Sequence, residues 1–305
     1  MVRMKETSFF GWDKCLWISN GVVDLVTTLE VGPRIIFFGF SDQNRNEFAV
    51  NHDEAGSTGG DDWKLYGGHR LWHAPEDEER TYIPDNRPVE YERIENGARF
   101  LPSIEEKSHI KKEIEVRMDP SSPEVEVNHI LINRGLWEIE LAPWAITVLS
   151  SGGKAIIPVS RSDPDNLLPD RLLSFWPYSR IGDERIRLEN EFIFLHQREE
   201  AEMPTKLGSK VSDEWAAYFN NDHLFVKRFE FDEQGVYPDN GCNVEAYTDE
   251  FMLELETLGT LESVEPGGKI EHREIWDLYD GVTEPEDGKE AKEILMDLVD
   301  SKNRL

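Results

Sequence analysis

A short run beginning at Tyr66 carries side chains that could act on a polar ligand. After two glycines the chain reads His69-Arg70-Leu71-Trp72-His73-Ala74-Pro75. An imidazole gains or loses a proton near neutral pH, whereas a guanidinium stays charged and only donates hydrogen bonds. The glycines allow a sharp turn, and Pro75 with the acidic residues after it argues against a helix or central strand. We therefore predict a ligand-facing loop with His69 as a proton donor and Arg70 and His73 as hydrogen-bond donors, flanked by Tyr66 and Trp72.

A second candidate group lies far along the chain, in the run Phe251 to Leu258. Because strand side chains alternate between two faces, Glu254 and Glu256 share one face of this run, and its leucines at 253 and 255 take the other. If the acidic face lines a cleft, Glu256 is a candidate general base. The charge of Glu254 would then raise the pKa of Glu256 towards a useful range. The alternative is a solvated strand face.

Other polar and aromatic residues have plain structural explanations beside the functional ones. Zinc is not expected at His69 and His73, because the sequence lacks the glutamate of the H-E-x-x-H pattern and the context is not helical. Trp72 and Trp144 could offer flat faces to a ligand or simply pack in the core. Arg34 could bind an anionic group or form an ordinary ion pair. His129 alternates with buried valines, which predicts a core histidine.

Alternating patterns dominate the elements that must position these groups. Runs of alternating apolar residues predict strands at Val23 to Val31, Ile35 to Phe38, Ile110 to Met118, Val125 to Leu131, Phe192 to His196, Leu224 to Phe231, Cys242 to Tyr247, Phe251 to Leu258 and Ile270 to Leu278. Many short strands separated by turn signals favour an antiparallel sandwich. Apolar residues at helical spacing after Pro285 predict one C-terminal helix, about 288–301, that packs on the body.

Composition limits the partners. The chain has 62 acidic against 33 basic side chains, for a net charge of -29, which repels nucleic acid and anionic membranes. No run approaches the ~18 apolar residues of a membrane span, and Met1 to Trp17 carry no apolar stretch long enough for a signal peptide, so we expect neither. We expect a cytoplasmic protein with one domain over residues 1–305, and its negative charge would suit a salty cytosol. The sequence does not indicate an oligomeric state.

Four segments together resemble the galactose-mutarotase-like superfamily of carbohydrate-active proteins, which includes the aldose 1-epimerases. The segments are Gly32-Pro33-Arg34-Ile35-Ile36, Tyr66-Gly67-Gly68 with Trp72, Asn128 to Gly135 leading to Leu141-Ala142-Pro143-Trp144-Ala145, and Leu253 to Leu258 followed by Pro266-Gly267-Gly268. The run Gly-Gly-His-Arg-Leu-Trp-His-Ala-Pro is similar to a branch of unassigned function. The resemblance implies an all-β antiparallel β-supersandwich and a small carbohydrate as ligand, with no metal or organic cofactor.

The resemblance also implies roles for individual residues. The Glu-Thr pair of the late strand contains the family's general base, which corresponds to Glu256, and we predict His69 as the acid that protonates the ring oxygen. Arg70, His73, Tyr66, Trp72, Glu254, Trp144 and Arg34 are the predicted substrate-binding residues. The two family histidines correspond to Tyr66 and the Ala142-Pro143-Trp144 stretch, where this chain has no imidazole.

Three functions therefore remain open. The first is an aldose 1-epimerase-like isomerase that acts on a sugar or sugar acid by acid/base ring opening. The second is a non-catalytic carbohydrate-binding or sensing protein of the same fold, which the missing histidines favour. The third is action on a different sugar bond, for which Glu245, Glu254 and Glu256 could supply two carboxyl groups.

Overall fold

The computed structural model describes residues 1–160, 165 and 167–300, and these residues form two large antiparallel sheets. The first sheet contains β1 (Arg3–Phe9), β2 (Trp12–Ser19), β3 (Val23–Thr28), β4 (Ile35–Phe40), β5 (His69–Ala74), β10 (Ile139–Leu149), β12 (Leu173–Phe175), β15 (Thr205–Ser209), β18 (Val244–Thr248), β19 (Leu253–Leu258) and β20 (Glu262–Val264). Its strand order is β1-β2-β3-β4-β5-β10-β19-β18-β15-β12, and β20 pairs with β10.

The second sheet packs face to face with the first. It contains β6 (Glu90–Ile94), β7 (Gly97–Leu101), β8 (Ile110–Met118), β9 (Val125–Asn133), β11 (Lys154–Pro158), β13 (Ile186–Leu188), β14 (Phe192–His196), β16 (Trp215–Asn220), β17 (His223–Phe229) and β21 (Lys269–Tyr279). Its order is β13-β14-β11-β16-β17-β21-β9-β8-β7-β6. The predicted all-β antiparallel fold is confirmed.

The main core lies between the two sheets, and alternation explains which residues enter it. Leu71 of β5 and Leu255 of β19 point inward from the first sheet. Phe225 and Trp276 meet them from the second sheet, with ring centroids 5.6 Å apart. We call this side of the first sheet its inner face and the opposite side its outer face.

The predicted C-terminal helix, α1, spans Gly288–Asp300, and residue 301 lies outside the described residues. Its first turn is capped by Asp287, whose carboxylate accepts hydrogen bonds from two backbone amides at 2.9 Å. Buried Leu295 and Val299 pack against the second sheet, in the cluster that contains Trp215. The helix therefore covers the second sheet and leaves the outer face of the first sheet to loops. No helix in the described part of the chain has the length and apolarity needed to cross a membrane.

The expected loop after the glycine pair is instead a strand, so that prediction was wrong. Residues His69–Ala74 form β5, which lies in the middle of the first sheet. Gly67 and Gly68 precede it with φ of +87° and +68°. A Cβ on Gly67 would lie 2.2 Å from the carbonyl oxygen of Ala49. The glycines therefore allow backbones to approach closely, and the strand begins directly after them.

Candidate functional site

Three neighbouring strands bring the early and late sequence segments together on the outer face. In the β5–β10–β19 register, Ile146 is paired with Arg70 on one side and with Glu256 on the other. Glu256 is in turn paired with Glu245 of β18. The guanidinium of Arg70 donates to the carboxylate of Glu254 across 3.0 Å. The sheet thus joins groups that are more than 180 positions apart in sequence.

Lys206 of β15 lies at the centre of the acidic part of this face. Its ammonium nitrogen is 2.7 Å from Oε2 of Glu245 and 2.9 Å from Oε2 of Glu256. The indole of Trp144 also donates to Oε2 of Glu256, at 2.6 Å. Oε1 of Glu256 is buried and makes no hydrogen bond to any described residue. That oxygen can therefore accept a hydrogen bond from a ligand.

Burial and charge set the protonation of this cluster. Burial raises the pKa of Glu245 well above its ordinary value, although the Lys206 ammonium opposes the shift. Burial also raises the pKa of Glu256, and the Lys206 ammonium again opposes the shift. For Lys206 itself, burial acts to lower the pKa, but the two carboxylates outweigh it and raise the value well above the ordinary one. The lysine stays charged, and the carboxyl pair readily holds a proton.

Aromatic rings surround the charged groups. The ammonium of Lys206 lies 4.6 Å from the ring centroids of both Trp144 and Trp176. The guanidinium of Arg70 lies 4.4 Å from the ring centroid of Trp72, whose indole meets Trp144 edge to face at 5.5 Å. Flat apolar faces beside hydrogen-bonding groups are the usual composition of a small-molecule site.

The floor and the rim of the site differ in exposure. Glu245 and Glu256 have no exposed surface, and Glu254 is 8% exposed. Tyr82 and Tyr178 are 39% and 41% exposed and lie at the rim. A ligand therefore meets the rim and Glu254 first, and it reaches Glu256 only if the side chains that cover Glu256 shift.

The two histidines of the glycine segment lie on the inner face, opposite Arg70 and Trp72. Nε2 of His69 is 2.7 Å from Nε2 of His129, and its Nδ1 is 2.8 Å from the Thr147 hydroxyl. His73 is buried, and neither of its ring nitrogens bonds to a described residue. Burial lowers the pKa of both His69 and His73, the latter to about 2. His69 and Glu256 thus point to opposite sides of the sheet, so the expected acid and base do not face one ligand.

Beneath the site, His69 joins a buried polar network between the sheets. Lys227 pairs with Glu274 at 2.7 Å, and both are fully buried. Trp276 and Thr257 also donate to Glu274. Ligand atoms of His69, His129 and Glu274 lie within 4.8 Å of one another, a spacing that could hold a metal ion. The Lys227 ammonium already supplies a cation there.

The remaining predicted binding residues lie elsewhere. Arg34 is fully buried and forms a two-pronged ion pair with Asp85, at 2.5 and 3.0 Å. Tyr66 is buried in a separate apolar cluster, where its ring meets Trp12 edge to face at 5.5 Å. Among the described residues, neither side chain forms a hydrogen bond, ion pair or ring contact with Glu256 or Lys206.

Sequence reasoning missed Lys206. Lys206 lies in the short strand β15, whose residues Thr205–Ser209 do not alternate clearly between polar and apolar types. Its position beside Glu245 follows from the pairing of β15 with β18. The chain has 33 Lys and Arg residues, and nothing in the local sequence distinguishes Lys206 from the others or identifies its partner.

Comparison with known proteins identifies the fold. No protein-family model matches the sequence, and no curated protein matches it. The YeaD protein of Salmonella typhimurium, described as a mutarotase candidate, has 9% sequence identity to this chain and a TM-score of 0.61. The matched region covers 91% of this chain and 94% of the YeaD chain. A galactose mutarotase-like protein from Lactobacillus casei is 9% identical with a TM-score of 0.57, covering 87% and 100%. One from Clostridium acetobutylicum is 10% identical with a TM-score of 0.56, covering 92% and 99%. The chain therefore has the galactose mutarotase-like fold.

Proposed function

We propose that this protein binds a carbohydrate on the outer face of its first sheet. One observation carries the proposal: the pairs Arg70–Glu254 and Lys206–Glu256 lie on the same face as the indoles of Trp72 and Trp144. Sugar hydroxyls exchange hydrogen bonds with charged groups, and the C-H faces of a sugar ring pack on aromatic planes. The fold shared with galactose mutarotase-like proteins supports the same ligand class.

Saturation-transfer NMR with monosaccharides and uronic acids tests this proposal. We expect at least one sugar to bind the wild-type protein and to lose at least tenfold in affinity in Trp72→Ala and Arg70→Met. Leu188→Ala is a control for surface truncation, because Leu188 is 52% exposed at the far edge of the second sheet. Equal sugar binding by wild type and both site variants would contradict the proposal.

A second candidate, an aldose 1-epimerase-like isomerase, is favoured by the shared contact of Glu245 and Glu256 with one ammonium. Glu256 would take the proton of the C1 hydroxyl, while Glu245 in its protonated form would give a proton to the ring oxygen. The bond from C1 to the ring oxygen then breaks, and the open aldehyde recloses on its other face. Glu245 replaces His69 in this scheme because the imidazole lies on the inner face.

NMR of freshly dissolved anomers separates binding from catalysis. If the isomerase candidate holds, both Glu256→Gln and Glu245→Gln slow anomer equilibration by at least a hundredfold, in line with the usual effect of losing an acid or base, while each retains sugar binding. Glu293→Gln, on the exposed side of α1, serves as the matched control. Binding with no acceleration by the wild type would leave a carbohydrate-binding or sensing protein.

A further inference from the structure

A cavity of about 410 Å³ lies at the edge of β5, where it is lined by Arg70 of the outer face and by Leu71 of the inner face. That edge is open because β4 pairs with β5 only at His69. Residues from the loops before β6 and after β7 close the cavity on its other side. Its lining includes Pro33, Arg70, Tyr82, Asn86, Ile104 and Lys107. Small-molecule sites usually measure about 300 to 1,000 Å³, so this volume can accommodate a ligand group.

Two residues of the cavity wall, Arg70 and Tyr82, also contact side chains of the proposed sugar site. Arg70 lines the cavity, and its Nη2 reaches Glu254 on the outer face. Nε and Nη1 of Arg70 are buried and make no hydrogen bond to any described residue. Tyr82 also lines the cavity, and its ring meets Trp72 edge to face at 5.1 Å. Arg70 and Tyr82 therefore form a wall that the two regions share.

The charges of the lining indicate which ligand group fits. Three wall carboxylates are already paired with cations, in the ion pairs Arg34–Asp85, Lys112–Glu105 and Arg87–Glu106. Lys107 also lines the cavity without an ion pair to a described residue, but it is outnumbered by the carboxylates of Asp61, Glu78 and Glu79, which form none either. They accept hydrogen bonds from hydroxyl groups and repel a phosphate or carboxylate. Apolar Pro33, Ile83, Pro84 and Ile104 provide surface for a ring.

We propose that the ligand is a neutral oligosaccharide or glycoside, with one sugar unit on the outer face and a second unit in this cavity. The inference rests on the carbohydrate binding proposed above and specifies the size and charge of the ligand. It explains why Arg70 lies between the two regions and contacts Glu254 with only one of its nitrogens.

Isothermal titration calorimetry tests the second subsite with matched probes. Glucose, galactose, their uronic acids and their 6-phosphates are compared with maltose, cellobiose and lactose. We expect at least one disaccharide to bind at least tenfold more tightly than its component monosaccharide, and the charged sugars to bind more weakly than the neutral ones. Ile104→Trp, at a residue 45% exposed on the cavity wall, should abolish the disaccharide advantage and leave monosaccharide affinity unchanged. Leu188→Trp, at the far edge of the second sheet, is the matched control.

The outcomes separate this inference from the proposed function. Monosaccharide binding with no disaccharide advantage would overturn the second subsite and leave the sugar site standing. An equal loss of monosaccharide and disaccharide affinity in Ile104→Trp would also overturn it, as would tighter binding of uronic acids or sugar phosphates. Failure of every probe to bind would overturn both proposals.

Discussion

The ammonium of Lys206 and the carboxylate of Glu256 lie 2.9 Å apart with almost no exposed surface. Glu256, the candidate base, lies on β19, and its counter-ion Lys206 lies on β15. Since Glu245 shares the same ammonium, one cation balances two buried carboxyl groups. The charge state of the site floor is therefore a property of all three side chains together.

Removal of the lysine should destabilise the protein strongly. Lys206→Met leaves two buried carboxyl groups without their cation, and we expect the free energy of unfolding at pH 8 to fall by about 3 to 5 kcal/mol. Urea denaturation followed by tryptophan fluorescence measures the change. Adding Glu245→Gln and Glu256→Gln to Lys206→Met should recover part of the loss, because no buried charge then remains. A Lys206→Met protein as stable as the wild type would show that the carboxyl groups do not depend on this ammonium.

The raised pKa of Glu245 predicts a particular dependence of stability on pH. A carboxyl group whose pKa is higher in the folded than in the unfolded protein stabilises the fold at pH values below its pKa in the unfolded protein, which is 4.5 for this group. That contribution is lost as pH rises through the folded pKa. Glu245→Gln cannot ionise, so its stability relative to the wild type should increase between pH 4 and pH 9. Urea denaturation across this range provides the measurement, and a constant difference would contradict the shift.

Alternation in the sequence predicted much of the fold and one face of the site. The bounds of β8 and β14 agree with the predicted runs, and Glu254 and Glu256 share a face. The strand β5 was missed because its inward positions carry His69 and His73 on either side of Leu71. Polar types at core positions conceal the alternation on which the prediction depends.

The remainder of the site depends on tertiary register, which a single sequence does not contain. Lys206 reaches Glu256 because β15 pairs with β18 and β18 pairs with β19. The cavity beside Arg70 exists because β4 leaves most of β5 unpaired. Neither relationship produces a local pattern of residue types, so residue spacing could predict the carboxylates but not their partners.

The placement of His73 gives a second prediction about pH. Burial lowers its pKa from 6.5 to about 2, so the folded protein favours the neutral ring. As pH falls from 6.5 towards 2, the unfolded protein takes up a proton at this ring and the folded protein does not, so the free energy of unfolding decreases over this range. His73→Leu removes this decrease and also removes two buried nitrogens without hydrogen bonds. We expect it to raise the free energy of unfolding by about 1 to 3 kcal/mol at pH 7, and by more at pH 5.

Sugar affinity provides the control for His73→Leu. The side chain lies on the inner face, so the variant should bind sugars as the wild type does. A loss of sugar affinity in a stably folded His73→Leu protein would show that the imidazole contributes to the site.

The glycine pair before β5 can be tested with a closely matched control. Gly67 and Gly152 have almost the same φ, +87° and +86°. A Cβ on Gly152 meets nothing within 4 Å, whereas one on Gly67 lies 2.2 Å from the Ala49 carbonyl oxygen. Gly152→Ala therefore reports backbone strain alone, about 1 to 2 kcal/mol. Gly67→Ala should cost at least about 1 to 3 kcal/mol more, the usual cost of forcing extra volume into packed structure. Equal losses in thermal or urea unfolding would show that the neighbouring strand moves away freely.

The buried pair Lys227–Glu274 should be strongly coupled, which a double-mutant cycle can measure. Lys227 lowers the pKa of Glu274 against the opposing effect of burial, and its ammonium also donates to the backbone carbonyl of Leu255, at 3.1 Å. Lys227→Met leaves a buried carboxylate without its cation, and Glu274→Gln leaves a buried ammonium without its anion. Each single change should cost about 3 to 5 kcal/mol of unfolding free energy.

The double variant Lys227→Met with Glu274→Gln removes both charges, so it should cost less than the sum of the two single changes. Urea denaturation at pH 7 gives all four free energies of the cycle. Because Leu255 directly precedes Glu256 in β19, loss of the Lys227 contact should also shift the backbone amide resonances of that strand in the two variants that lack the lysine. Additive losses with unchanged β19 resonances would mean that the pair neither couples nor holds the strand beneath the sugar site.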